Sequence, residues 1–305
     1  DASTTLNDGS CEYISPIDLG EDIAICAESV ILDAGEGYDS YLWSTGETSQ
    51  TIEVTESGNY SIDVVNSQSE EIENNYSILT GENNGESGFV SINDMQLPTG
   101  DSDRTIIAWI KPEGSNNFDI AGNPLGGNVV SYGLGLITNE RFSLTVRDED
   151  DNWQLTIHGQ NNDVSTGVYL TPYEWNYIAV VYTEGELEIY KNSGDIAATV
   201  TPPLGYFNTA DGTEFRIGYI TEDREGENFG GNVDNLHIWD IALSENEIDN
   251  FMSCPPTGNE DGLVGYWNFE EGPDEGQVVD LSINENNGSI NGATYNEETP
   301  EQSCE

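Results

Sequence analysis

Side-chain oxygens are the groups in this sequence that could do chemistry, and they come in short runs. Asp1 is followed by Asn7-Asp8-Gly9, and the stretch from Arg147 to Trp153 carries Asp148, Asp150 and Asp151. Hard oxygens placed on turns are what Ca2+ takes as ligands. Each run also has a plainer reading: Asn7-Asp8-Gly9 is a turn sequence in its own right, and the second run would make a solvated hairpin tip. Asp234 is of another kind. It sits inside the alternating stretch Val233 to Trp239, and a carboxylate within a core strand costs free energy unless it is hydrogen-bonded or coordinated. Nitrogen and sulfur groups are sparse. His158 stands alone, and His237 lies in the same strand as Asp234. Cys11, Cys26, Cys254 and Cys304 form no Cys-x-x-Cys or Cys/His cluster, which argues against zinc. A nucleophilic Gly-x-Ser-x-Gly elbow or Cys/His pair is also missing.

The charge limits the partners. Against 58 acidic residues stand 7 basic ones, a formal net charge of −51. A phosphate backbone and an anionic membrane surface would both be repelled, so nucleic acid and such membranes are excluded. The charge reads either as a solvated surface tuned for solubility or as one partly neutralised by divalent cations. The chain contains no run of 18 apolar residues, so membrane insertion is not expected. Four cysteines, an even number, point to an exported, oxidised, extracellular or cell-surface protein. The chain opens on no signal peptide, so it reads as a mature product or a piece of a longer one.

Strands must position these groups. Hydrophobic residues make up 35%, with 15 Tyr, 8 Phe and 6 Trp, a loop-rich β composition. At 305 residues two domains are expected. Val233 to Trp239 alternates with period two, and then Leu243, Glu247 and Ile248 take helical spacing, with Ser244 and Glu247 forming a capping box. Earlier, short strands recur every 8 to 12 residues through 15–66 around Trp43, the pattern of an Ig-like sandwich. Further strands are expected at 104–111, 127–138, 141–147, 153–158, 164–170, 176–182, 185–191, 196–200 and 214–220.

The residues Gly231, Val233, Asp234, Leu236, Ile238, Trp239, Asp240, Ala242, Leu243, Ser244, Glu247 and Ile248 match, in order, the closing signature of laminin-G-like (concanavalin A-like) jelly rolls. Arg104 to Pro112 and Tyr173 to Tyr182 resemble that family's early and middle core strands, and the resemblance covers roughly residues 72–253. It implies an all-β chain: a small Ig-like β-sandwich followed by a concanavalin A-like/laminin-G-like jelly-roll β-sandwich, closed by a permuted C-terminal segment. Residues 1–14 resemble half of an acidic Cys-containing repeat of Bacteroidetes-type secreted proteins. Residues 15–70 are similar to Ig-like/PKD-like modules, 71–253 to the jelly roll, and 254–305 to a segment that normally opens one. The family's calcium sites imply a set made of Glu82, Asn83, Glu86 and Asp234. The module's usual second cysteine is absent after 66, so Cys26 is expected to pair with Cys11, and Cys254 with Cys304, which bracket the tail. In that tail Leu263, Gly265, Trp267 and Phe269 would share the inward face of a strand beside Val233 to Trp239.

Glucanases of this fold need a carboxylate pair on a concave strand. Glu186 and Glu188 lie instead in a family-type hairpin, so no enzyme activity is expected. Two functions remain. One is a calcium-stabilised structural or adhesive repeat of a secreted surface or filament protein, joined to copies of itself end to end or to neighbouring modules. The other is a lectin-like module binding glycans through exposed aromatics. Tyr169, Tyr173, Tyr206, Phe207 and Tyr219 are the candidates, although most have core strand spacing.

Two outcomes are expected. Chelation at constant ionic strength should lower the melting temperature by a few degrees, since a bound ion at a hundredfold excess over its dissociation constant adds about 2.7 kcal/mol. An unchanged melting curve would leave only the solvated-surface reading. Non-reducing peptide mapping should link Cys11 to Cys26, and free thiols there would refute the pairing.

Overall fold

The computed structural model describes residues 29–35, 38, 40–65, 74–83, 86–113, 127–134, 137–149, 152–211, 214–221, 228–273, 276–302 and 304. The chain divides into two compact units, Asp1–Ser69 and Glu70–Cys304. Cys11 and Cys26 lie outside the described residues, as do Asp1, Asn7 and Asp8.

In the first unit β1 (Val30–Asp33) pairs with β3 (Thr51–Val54), and β2 (Ser40–Trp43) with β4 (Ile62–Val65), both antiparallel. Alternation turns Trp43 and Ile52 inward, where they pack with Ala34, and the Trp43 indole donates to the Ser49 carbonyl at 2.8 Å.

The second unit is a jelly-roll-like β-sandwich. Its strands are β5 (Ser77–Asn83), β6 (Glu86–Asn93), β7 (Arg104–Pro112), β8 (Gly127–Gly133), β9 (Arg141–Glu149), β10 (Asn152–His158), β11 (Val164–Leu170), β12 (Asn176–Thr183), β13 (Glu186–Lys191), β14 (Ile196–Val200), β15 (Glu214–Ile217) and β16 (Gly231–Trp239). After α1 (Glu245–Ser253) come β17 (Leu263–Trp267), β18 (Gln277–Val278), β19 (Gly288–Asn291) and β20 (Thr294–Asn296). The first sheet runs β14-β13-β12-β7-β16. Beyond β16, β5 pairs with its N-terminal part and β17 with its C-terminal part, and β20 lies outside β5. The second sheet runs β11-β10-β9-β8-β15-β6-β19-β18. The β5–β6 hairpin joins the two sheets. Among the described residues no helix is long and apolar enough to cross a membrane.

Between the sheets lies one core that includes Ile106, Ile178, Val233, Leu236, Leu155 and Phe215. The outer face of the first sheet is apolar as well. Ile107, Tyr177, Val181 and Trp239 pack there against Leu243 and Ile248 beside and within α1. The Glu247 carboxylate accepts from the Ser244 N–H at 2.7 Å, starting that helix, and the Tyr177 hydroxyl donates to the Ile248 carbonyl at 2.6 Å.

The C-terminal segment is built into both sheets, and Cys254 and Cys304 are bridged, with Cα atoms 4.7 Å apart. Closing a 50-residue loop contributes roughly 4 kcal/mol through the unfolded state. The expectation for its inward face needs correction. The β16–β17 register shifts between Ile238 and Trp239, and this irregularity changes the parity of β17. Leu263 therefore packs on the α1 side with Tyr266, while Val264, Trp267 and Phe269 enter the sandwich core. Gly265 stays obligatory, because a Cβ there would lie 2.4 Å from the Trp267 ring. The Asp280 carboxylate holds the following loop, accepting from the Tyr266 and Ser282 N–H groups at 2.9 and 2.8 Å and from Asn286 N–H at 2.7 Å.

Trp267 is fully buried and stacks on Phe215 with ring centroids 5.8 Å apart. Trp267→Ala should cost about 3–5 kcal/mol in denaturant unfolding. A cost under about 1 kcal/mol would show that the tail is not part of the folding unit.

Candidate functional site

The outer face of the second sheet is polar where that of the first is apolar, and the alternation of its strands makes it so. In β10, Trp153, Leu155 and Ile157 point into the core, leaving Gln154, Thr156 and His158 on the other face. In β9, Phe142, Leu144 and Val146 point inward, leaving Arg141, Ser143, Thr145 and Arg147. The ladders align these residues across strands. One row runs Ser289, Ser91, Arg216, Ser131, Ser143, His158, and a second Asn128, Thr145, Thr156, Ser165. Three of the seven basic residues, Arg141, Arg147 and Arg216, lie on this face.

Much of the face is buried and internally bonded. The Ser131 and Ser143 hydroxyls are 2.7 Å apart, Thr145 donates to the Asn128 side-chain oxygen at 3.2 Å, and Thr156 Oγ1 lies 3.1 Å from His158 Nε2. Burial pushes His158 down to about 4, with Arg147 and Arg141 adding to the effect and Asp163 opposing it. The imidazole is therefore neutral near pH 7 and serves as a hydrogen-bonding group rather than a charge. Arg216 pairs with Glu214 at 3.0 Å and lies over the stacked rings of Phe89 and Tyr219.

The accessible part is at the β9–β10–β11 edge. Arg147 pairs with Gln154 and Gln154 with Tyr169, so the three share one row. With strands spaced about 4.8 Å, their Cα atoms span roughly 10 Å, the scale of one or two sugar rings. Tyr169 is 52% exposed. Its carbonyl accepts from Lys191 Nζ at 2.8 Å, and Ser165 donates to the Gln154 side-chain oxygen at 2.7 Å. Tyr173, at the same end, is 65% exposed and held at φ 60°. Its N–H donates to the Pro112 carbonyl at 2.8 Å, and its ring is 6.4 Å from that of Trp153. Such a group offers an aromatic face for the C–H side of a ring and amide and guanidinium groups for hydroxyls.

Of the five aromatic candidates, Tyr169, Tyr173 and Tyr206 are exposed, while Phe207 and Tyr219 are buried. Core spacing was thus a poor guide for the three. Tyr169 alternates with Val168 and Leu170 but faces outward on an edge strand, and Tyr173 and Tyr206 lie in turns. Gln154, Ser165 and Arg147 were not singled out in the sequence. Their signal is the apolar–polar alternation of β9 and β10 and the burial alternation of β11.

Of the calcium candidates, Asp234 and Glu82 are separated along the β5–β16 ladder. Val233 pairs with Ile78, so Asp234 lies beyond that end of the pairing, while Glu82 is four residues the other way along β5. The separation is roughly 16 Å. In the β5–β6 hairpin Asn83 pairs with Glu86, and Glu82 with Ser87. Asp148 pairs with Trp153 in β9–β10, whereas Asp150 and Asp151 lie outside the described residues. Among the described residues no group of three or more His, Cys, Asp or Glu could hold a metal ion. Asp234 is fully buried, and burial raises its carboxyl well above the usual range against the lowering by Asn235 N–H and Asn74. Its Oδ1 accepts from Asn235 N–H at 2.7 Å.

A family description, the Concanavalin A-like lectin/glucanases superfamily, matches residues 84–249, more than half of the chain. Among solved structures, a Bacteroides ovatus protein to which carbohydrate binding is provisionally ascribed aligns with TM-score 0.58 and 17% identity, over 84% of this chain and 69% of its own. The heptameric SAP-like pentraxin of Limulus polyphemus aligns with TM-score 0.47 and 20% identity, over 59% and 83%. Domain 4 of the extracellular arabinanase AbnA of Geobacillus stearothermophilus, seen with arabinotriose, aligns with TM-score 0.37 and 15% identity, over 57% and 86%. No curated protein matches the chain.

Proposed function

The chain belongs to the Concanavalin A-like lectin/glucanases superfamily, and from that premise we propose that it is a non-catalytic carbohydrate-binding module. The observation that carries this reading is the row Arg147, Gln154, Tyr169 on the accessible edge of the polar sheet face. The exposed ring of Tyr169 would stack on a sugar, Gln154 and Ser165 would bond its hydroxyls, and Tyr173 would extend the platform. The ligand is a neutral glycan, because a net charge of −51 repels uronates and sialates. The ascription made for the Bacteroides ovatus protein agrees with this reading but supplies only the shared fold. The reading also takes the protein to be extracellular and its first unit to be an Ig-like module that precedes the lectin-like one. It replaces the adhesive repeat as the main function, since that idea rests on terminal motifs outside the described residues.

Native affinity electrophoresis through gels containing soluble arabinan, xylan or β-glucan tests it. At least one neutral polysaccharide should retard the wild type without releasing reducing sugar. Tyr169→Ala should weaken that binding roughly tenfold, about 1.4 kcal/mol. Equal retardation of the variant, or none of the wild type, would contradict the site.

A further inference from the structure

Lys111 of β7 and Asn232 of β16 are direct partners across an antiparallel pair. Partners in such a pair point the same way, with Cβ atoms roughly 5 Å apart. Glu113, two residues on from Lys111, reaches both. Its Oε1 accepts from Asn232 Nδ2 at 3.2 Å and lies 3.2 Å from Lys111 Nζ. An amine and a carboxamide are thus held on one carboxylate oxygen. The carboxamide oxygen is held as well. Asn232 Oδ1 accepts from Asn296 Nδ2 at 3.0 Å and from the Ser77 hydroxyl, which it shares with the Glu298 carbonyl, at 3.2 Å. Asn232 is fully buried and the Lys111 side chain is 14% exposed, so water has little access to the carboxamide carbon.

We propose that this constellation is a self-modification site, at which an isopeptide bond forms between Lys111 and Asn232. The Lys111 ammonium gives one proton to Glu113, and the freed amine attacks the Asn232 Cγ. Negative charge then collects on Oδ1, where the fixed Asn296 and Ser77 donors stabilise it most. Glu113 hands its proton to Nδ2 and takes the second proton from Nζ as the Cγ–Nδ2 bond breaks. Ammonia leaves and carries that second proton off as ammonium. One C–N bond replaces another, so no oxidant or reductant is needed. The obstacle is the charge on the amine. Glu298 raises Lys111 above its ordinary value, with Glu113 adding to the effect and burial opposing it. The neutral amine is therefore a minor species near pH 7, and the step is slow. It is still one-way, because ammonia diffuses away, and the fixed geometry removes the entropy cost of bringing the two groups together. The product fastens β7 to β16 covalently and, as a disulfide does, restricts the unfolded chain.

Mass spectrometry of the reduced, denatured full chain tests it. After prolonged incubation of the folded protein, the mass should fall short of the sequence by one ammonia. Peptide mapping should find a branched peptide that joins Lys111 to Asn232. Glu113→Gln and Lys111→Met should each show the full mass, with circular dichroism matching the wild type. Glu298→Gln removes a carboxylate that keeps the amine charged, and it should keep the bond. A wild type of full mass overturns the proposal, as does an ammonia loss that maps within a single unbranched peptide. A bond that survives in Glu113→Gln, or that is lost in a folded Glu298→Gln, overturns it equally.

Discussion

The backbone pairing of β16 is the constraint on which the second unit depends. All nine of its residues are buried, and both of its edges are bonded. One edge belongs to β7, and the other is shared by a strand from the start of the unit and a strand from its end. The changeover falls at Asp234 and Asn235, where the β7 register shifts and Asn235 takes φ 43°. A break in the ladder frees an N–H inside the core, and an unpaired buried N–H is costly. The Asp234 Oδ1 accepts that N–H. The Asn235 side chain then accepts from the Tyr266 hydroxyl of β17 at 2.8 Å and donates to Gln302 near the C-terminus at 2.6 Å. One local irregularity thus ties together the strand, the C-terminal segment and the residues before the closing bridge.

From that hub the two outer faces diverge. The first sheet is covered by α1, so its outer face can be apolar. The second presents serines, threonines and arginines to its outer side, and its β11 edge leaves the exposed Tyr169 accessible beside Gln154. Arg104, a fully buried cation, lies between the Phe142 and Tyr182 rings and donates to Gly100 and Ser102 carbonyls, Tyr132 and Thr209, so its charge is bonded without a direct carboxylate.

The strands that alternate cleanly were legible in the sequence: β7, β9, β10, β12 and β16 form where their patterns place them. Lengths set by turns were less so. β8 was expected to reach 138 but ends at Gly133, where φ is 86° and the chain turns into the uncharged tip. Leu263 was assigned to the wrong face of β17, because a register shift leaves no mark in the order of Leu263, Val264 and Gly265, whereas Trp267 and Phe269 do enter the core. The candidate site was half legible. Tyr169 was visible as an aromatic, but its exposure depends on β11 being an edge strand, which is a property of sheet order. The placing of the calcium candidates was likewise not legible, because which part of β5 lies near Asp234 is a matter of register.

The pairing makes the C-terminal segment and β16 one cooperative unit. Native-state hydrogen exchange over increasing denaturant tests it directly, because amides that open only with the whole domain share its unfolding free energy. Amides of Leu263–Trp267 and Leu236–Trp239 should merge into one exchange isotherm at the global value. Exchange of Leu263–Trp267 through a low-energy local opening, with Leu236–Trp239 still protected, would contradict it.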